Sequence, residues 1–378
     1  MKKSSLFILV ILCRLVVGAQ VKSEYFLTGT YTNGKSLGIY TFVFDPATQT
    51  ARQVSVAEGI KNPSFLATAP GGGYVYAVSE LNGGGDAGKV FAYRYDASTG
   101  KLSYINEQPS GGDDPCYVTV DKTGRWVIVG NYSSGSLSVL PVEAGGALGK
   151  AVTRIVQEGP TGPNKERQEK PHVHSTVLSQ DNRFLFVADL GTDKIFAYRF
   201  DAVNGTLSPA PTPFQVTDPG SGPRHFIFHP SGKYAYLIEE LTGTVSSYRY
   251  SADAGRLTWI QRLSSLPADF KGFAGSADIH ISPDGKFLYA SNRGDANTLA
   301  IFRIDQKKGT LTSIDHPSVL GKAPRNFSLT RDGKWLLCAN QQSDEIVVFS
   351  RNRKTGLLTD TGKRISVPSP VCIRWIQP

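Results

Sequence analysis

Cysteine is scarce in this chain: four in 378 residues, one of them at position 13. The other three, Cys116, Cys338 and Cys372, are an odd number, which excludes a complete disulfide framework. Each lies in an apolar strand pattern, so buried free thiols are expected. No C-x-x-C pair or zinc-type spacing occurs. Long helical apolar stripes are missing after residue 24, which argues against a helical fold. A concentrated basic stripe is missing too. The net charge is +9, but its lysines and arginines are scattered, many at turns (Arg125, Arg183, Lys233, Lys286, Lys334), and the densest charged patch, NKERQEK at 164–170, also holds acids. That pattern leaves no electrostatic footprint for nucleic acid, and no such partner is expected.

The one apolar run stands at the N-terminus, MKKSSLFILVILCRLVVGAQ. Lys2 and Lys3 form a basic start, Leu6 to Val17 a short apolar segment broken by Arg14, and Val17-Gly18-Ala19 a small-residue cleavage site. This predicts an export leader over 1–19, cut after Ala19, and a mature domain over 20–378. The run is short for a membrane span, so an uncleaved anchor is the weaker reading. A periplasmic or secreted protein without stable membrane insertion is expected.

What the chain has in quantity is glycine (39), proline (22), tyrosine (16) and phenylalanine (19), the mix of short strands and tight turns. One pattern recurs: GGGYVYAVSE at 71–80, TGRWVIVGNY at 123–132, DNRFLFVADL at 181–190, SGKYAYLIEE at 231–240, DGKFLYASNR at 284–293 and DGKWLLCANQ at 332–341. Each is a turn, an aromatic, an alternating strand and a polar end. A third strand follows (KVFAYRYD, KIFAYRFD, TLAIFRID), then a turn and a weaker fourth opening on leucine (GKLSYI, GRLTWI). The units open at Pro63, Pro115, Pro171, Pro223, near Ala277, at Pro324 and at Pro370. A period near fifty with four strands per unit predicts an all-β, seven-bladed β-propeller of antiparallel strands. The chain starts on a second-type strand, YFLTGTYT, and ends on a first-type strand, PVCIRWI, so the C-terminal strand should close the N-terminal blade and leave no open sheet edge. Few strongly apolar outer-strand faces are evident, which predicts a monomer.

In a propeller the innermost strand starts, and the second strand ends, at one face of the ring. The first column reads Ser64, Cys116, His174, Arg224, Ala277, Arg325 and Val371. The penultimate positions of strand two read Thr30, Ser79, Asn131, Asp189, Glu239, Asn292 and Asn340, and the last positions Tyr31, Glu80, Tyr132, Leu190, Glu240, Arg293 and Gln341. Charged groups converging on a narrow channel are costly unless something uses them, which singles out His174, Arg224, Glu240 and Arg293. Uncharged strand-end side chains more often satisfy loop backbone. His172, two residues before His174, shares its face if the strand continues, and His225 should point away. The H-V-H pair lacks a third nitrogen or sulfur ligand for zinc. An oxygen set of Asn131, Asp189, Glu239 and Asn292 fits calcium better. No metal or cofactor is expected.

PHVHS, GPRHFIFHPSGKYAYLIEEL, SADIHISPDGKFLYASNRG and PRNFSLTRDGKWLLCANQQSDEIVVF resemble the lactonase family of seven-bladed propellers over roughly 25–378. That family includes the propeller-type 6-phosphogluconolactonase and the fungal carboxymuconate cycloisomerase. The resemblance implies His174, Arg224, Glu240 and Arg293 as catalytic residues, the same four the columns favour. His172, Arg325, Glu80, Asp189, Asn292 and Asn340 are the expected substrate-binding residues. The chain departs from the family in Glu239-Glu240, where Asn-Glu is frequent, in Tyr117, where a histidine is common, and in its leader, since relatives are usually cytoplasmic.

Hydrolysis of a sugar lactone, 6-phosphogluconolactone or a similar one, is the expected activity. His174 or Glu240 would serve as the base, and arginines would stabilise the oxyanion and hold an anionic substrate group. A lactonising cycloisomerase and an exported, non-catalytic sugar-acid binder are the other readings.

Overall fold

The computed structural model describes residues 24–84 and 87–376; the expected leader, 1–19, lies outside the described residues. Seven four-stranded antiparallel sheets follow one another around a ring. The first blade holds β1 (Glu24–Thr30), β2 (Gly38–Asp45) and β3 (Thr50–Glu58), and its innermost strand is the last of the chain, β28 (Pro370–Trp375). β28 pairs antiparallel with β1, Phe26 opposite Trp375 and Thr28 opposite Ile373, so the ring closes as the two chain ends predict. The other inner strands are β4 (Leu66–Thr68), β8 (Pro115–Val120), β12 (Val173–Leu178), β16 (Pro223–Phe228), β20 (Ser276–Ile281) and β24 (Pro324–Leu329). Their partners, the second strands, are β5 (Tyr74–Ser79), β9 (Trp126–Asn131), β13 (Phe184–Asp189), β17 (Tyr234–Glu239), β21 (Phe287–Asn292) and β25 (Trp335–Asn340). No helix of the described residues is long and apolar enough to cross a membrane.

Two recurring residues explain the repeat. The turn between strands one and two needs a left-handed residue, supplied by Gly72, Gly124, Asn182, Gly232, Gly285 and Gly333, with φ from 63° to 73°. The aromatic that opens strand two then lies against a glycine in the next blade's outer turn. A Cβ on Gly146, Gly205, Gly255, Gly309 or Gly356 would fall 2.2–2.3 Å from the ring of Tyr74, Trp126, Phe184, Tyr234 or Phe287 respectively. Each pair bolts one blade to its neighbour. Between blades the second strands are buried along their whole length, as in β13, β17 and β21. Cys116, Cys338 and Cys372 are buried and free, as their strand contexts predict.

Each of six inner strands carries a bulge at the same place. The ladder runs Pro115–Asn131 then Tyr117–Gly130, Val173–Asp189 then Ser175–Ala188, Pro223–Glu239 then His225–Ile238, and Pro324–Asn340 then Asn326–Ala339. Cys116, His174, Arg224 and Arg325 are therefore the inserted residues that no ladder partner faces. Shifts of the same kind fall at Ala277 in β20 and Val371 in β28. A bulge re-aims a side chain and breaks the two-residue alternation. The first column is thus a column of bulges.

Candidate active site at the mouth of the ring

Glu240 is the hub of the mouth. It directly follows the second strand of the fifth blade and is only 3% exposed. Its Oε2 accepts from Nε of Arg224 at 2.8 Å and lies 3.1 Å from Nη2 of Arg293. Its Oε1 accepts from Nη2 of Arg167 at 2.7 Å. Burial alone would raise this carboxyl, but the guanidiniums of Arg293, Arg224 and Arg167 outweigh it and bring it down to about 2. A carboxylate so held is a poor base near neutrality, so of the two expected bases the electrostatics favour histidine.

His174 stands beside it, with Nε2 3.8 Å from Glu240 Oε2. Its Nδ1 lies 3.6 Å from Sγ of Cys116, whose thiol also lies 3.7 Å from the carbonyl oxygens of Val173 and His174. A thiol donating to either carbonyl can accept from Nδ1–H, which leaves the Nε2 lone pair bare. Burial, then the charges of Arg224 and neighbouring groups, pushes His174 well below the ordinary histidine range. The imidazole is neutral at pH 7.

Three arginines keep donors that no protein atom takes among the described residues. Arg224, 1% exposed, spends Nε on Glu240 and Nη1 on the Ala277 carbonyl (2.5 Å) and His225 Nε2 (3.1 Å), leaving Nη2. Arg293 spends Nε on the Gly275 carbonyl (2.8 Å) and Nη2 on Glu240, leaving Nη1. Burial pushes Arg293 down to about 9, and it stays cationic at neutral pH. Arg325 lies over the ring of Tyr31, 5.3 Å from its centroid, with no hydrogen bond of its own. Tyr31 in turn donates to both oxygens of Glu80, at 3.0 and 3.1 Å. Arg167, Arg224, Arg293 and Arg325 face the two carboxylates Glu80 and Glu240, so the mouth carries two positive charges in excess and suits an anion.

His174, Arg224, Glu240 and Arg293 come together as expected, with Arg325 and Glu80 across the mouth. Asp189, Asn292 and Asn340 do not join them. They are fully buried and turned to loop backbone. Asp189 accepts from the amides of His172 and Thr192, both at 3.0 Å, Asn292 donates to the Ser265 carbonyl at 2.7 Å, and Asn340 to that of Val319 at 3.0 Å. Asn131 likewise donates to Ser110 O, and Glu239 pairs with Arg262 at 2.9 Å. The penultimate column therefore braces loops, and the residue one step on turns to the mouth at Tyr31, Glu80, Tyr132, Glu240 and Arg293. Of the oxygen set that suited calcium, Glu239 and Asn292 are taken by protein donors, while Oδ1 of Asn131 and Oδ2 of Asp189 accept no hydrogen bond; among the described residues no three His, Cys, Asp or Glu side chains gather to hold a metal ion. His172 stacks on Tyr132 (centroids 4.3 Å apart, planes 19°) with Nε2 3.1 Å from Glu169, away from Glu240.

Two residues escaped the sequence reading. Arg167 sits in the loop that joins the third and fourth blades, inside the mixed-charge patch NKERQEK, and it also donates to the Tyr132 hydroxyl at 3.2 Å. His225, expected to point away, meets Arg224 because the bulge at Arg224 breaks the alternation. The only signal for Arg167 was the extra length between Pro115 and Pro171.

Known proteins bear out the resemblance. Residues 25–375 match the family described as Lactonase, 7-bladed beta-propeller. The 6-phosphogluconolactonase of Bacillus subtilis is 35% identical over 92% of this chain and 97% of its own length. That of Formosa agariphila is 39% identical over 87% and 93%. A solved structure of the Pseudomonas aeruginosa periplasmic gluconolactonase superposes with a TM-score of 0.89 at 38% identity, covering 94% of this chain and 99% of that one. The chain belongs to the lactonase family of seven-bladed β-propellers.

Proposed function

We propose that the protein hydrolyses a sugar lactone, and that His174 is the general base. The observation that carries the reading is the ring of unspent arginine donors around a neutral, buried histidine. A water attacks the lactone carbonyl carbon while His174 Nε2 takes its proton. The imidazolium so formed faces Glu240, whose charge is fixed in place by three arginines. Nη2 of Arg224 and Nη1 of Arg293 receive the carbonyl oxygen as it becomes an oxyanion. The tetrahedral intermediate then expels the ring oxygen, which takes the proton from His174 and leaves as the sugar hydroxyl. The product is the open aldonic acid, and neither metal nor cofactor enters the scheme. Arg325, permanently charged and with no side-chain hydrogen bond to the described residues, receives a phosphate or carboxylate on the substrate. The relatives named for 6-phosphogluconolactone and for gluconolactone both support this substrate class.

The protein acts outside the cytosol in this reading, by its leader and by its likeness to a periplasmic gluconolactonase. Mass analysis of the mature N-terminus, expected at Gln20, tests the export step. For the activity, hydrolysis of 6-phosphogluconolactone and of gluconolactone is followed with and without EDTA, corrected for spontaneous opening. Chelator-resistant turnover of either supports the proposal, and a preference for the phosphorylated one supports the role of Arg325. Failure on both overturns it.

A further inference from the structure

Arg224 is pinned by an unusual partner. Its Nη1 donates to Nε2 of His225 at 3.1 Å, which requires a lone pair on that nitrogen. The opposite nitrogen, Nδ1, lies 2.8 Å from Oδ1 of Asp278, a carboxylate 3% exposed on the next blade. A carboxylate can only accept, so Nδ1 carries the proton and Nε2 is bare. The rest of Asp278 is equally committed. Its Oδ2 takes Asn326 Nδ2 at 2.5 Å, His280 Nε2 at 2.9 Å and the Phe327 amide at 3.3 Å, and Oδ1 takes the Ile279 amide at 3.0 Å. Asn326 then accepts from the amide of Ile373 in the closing strand at 2.7 Å. Tyr117, Phe65 and His174 pack around the His225 ring in T-shaped contacts, with centroids 5.3, 5.8 and 5.5 Å away.

We infer that Asp278 and His225 are positioning residues for the reaction: the carboxylate fixes the histidine as its Nδ1–H tautomer, and the bare Nε2 holds Arg224 with Nη2 turned to the substrate. Metal-ligating and general-base histidines are oriented by a carboxylate in the same way; here the group so oriented in turn holds a cation. Burial, with Arg224 alongside, pushes His225 down to about 4, so the ring remains neutral and able to accept across the physiological range. The network runs through the fifth, sixth, seventh and first blades, so the angle of one guanidinium depends on four blades being in register. The inference rests on the lactonase reading for its effect on rate, but not for the tautomer.

The test has two arms. His225→Phe removes the acceptor and keeps the bulk, and kcat should fall about tenfold to a hundredfold, the range for a hydrogen bond to a charged group. His225→Gln, whose Oε1 can accept from Arg224, should recover most of that loss. In an Arg224→Lys background His225→Phe should cost little more, since both act through one guanidinium. In the second arm, 15N NMR of the histidine-labelled full chain, without substrate, should show His225 protonated at Nδ1 and bare at Nε2, and Asp278→Asn should disturb that state. Equal turnover of wild type and His225→Phe overturns the inference, as does an Nε2–H tautomer or an imidazolium in the wild type. A wild type inactive on every lactone overturns the lactonase reading instead, and the NMR arm still decides whether Asp278 fixes the ring.

Discussion

His174 Nε2 lies 3.8 Å from Glu240 Oε2, the oxygen that also receives Arg224 at 2.8 Å. The separation is long for a hydrogen bond but still within reach of an ion pair. A neutral imidazole gains little from Glu240, whereas an imidazolium gains a counter-charge already in place. Replacing His174 by alanine should therefore lower kcat by about a hundredfold or more, with a much smaller change in KM. Steady-state kinetics on the better lactone check this; a loss confined to KM would assign His174 to binding alone.

The pH dependence has a definite sign. A base held well below the usual histidine range is already unprotonated at pH 6.5. The acid limb of kcat/KM should lie below that value, with no bend at it. Arg325 is one of the charges that depress His174, so Arg325→Gln should move the limb upward. A pH–rate profile of both proteins reads the two positions.

The same depression affects stability. His174 and His225 are protonated in the unfolded chain below about pH 6.5 but not in the folded one, so their contribution is complete above 6.5 and is lost as pH falls toward the folded values. For His225, from 6.5 to about 4, the loss is about 3 kcal/mol. Urea denaturation at pH 7 and pH 4.5 should show the acid-side weakening, and His225→Gln should reduce it.

Glu240→Gln keeps the shape of the hub and removes its charge. Arg224 would then be buried without a counter-ion and Arg293 nearly so. Loss of one member of such a pair costs about 3–5 kcal/mol. Thermal unfolding should show it as a large drop in Tm, and Glu240→Ala should be at least as severe. A variant of unchanged Tm would mean that solvent or a bound anion already shares the charge of the arginines.

Arg167 is the most exposed of the three arginines on Glu240, with 34% of its side chain accessible. Its removal should cost less than about tenfold in kcat/KM, as for other partly solvated charges. The loss should be larger for a phosphorylated lactone than for a neutral one. Arg167→Ala assayed on both substrates tests it, and an equal loss on the two would confine the residue to holding Glu240.

The fold was legible because most blades repeat the same two solutions, a left-handed turn residue and an aromatic on a neighbour's glycine, at a near-constant spacing. His174, Arg224, Glu240 and Arg293 were legible as charges where a repeat would put small or apolar residues. Asp189, Asn292 and Asn340 misled because a strand's pattern does not reveal which of its last two side chains faces the axis. That depends on the bulge in the partner strand. His225 was misplaced for the same reason. Arg167 belongs to no blade, so no column could contain it.

The bulges have a consequence for how such a ring can change its chemistry. Cys116, His174, Arg224 and Arg325 occupy positions that carry no cross-strand partner, so the sheets do not depend on what they are. The same stations hold Ala277 and Val371 elsewhere in the circle. At these stations the backbone ladder is held by neighbouring residues, and the side chain is left for the mouth. A few exchanges at these stations could therefore convert a hydrolase into a receptor, or redirect it to a different lactone, while the wheel that carries them stays the same.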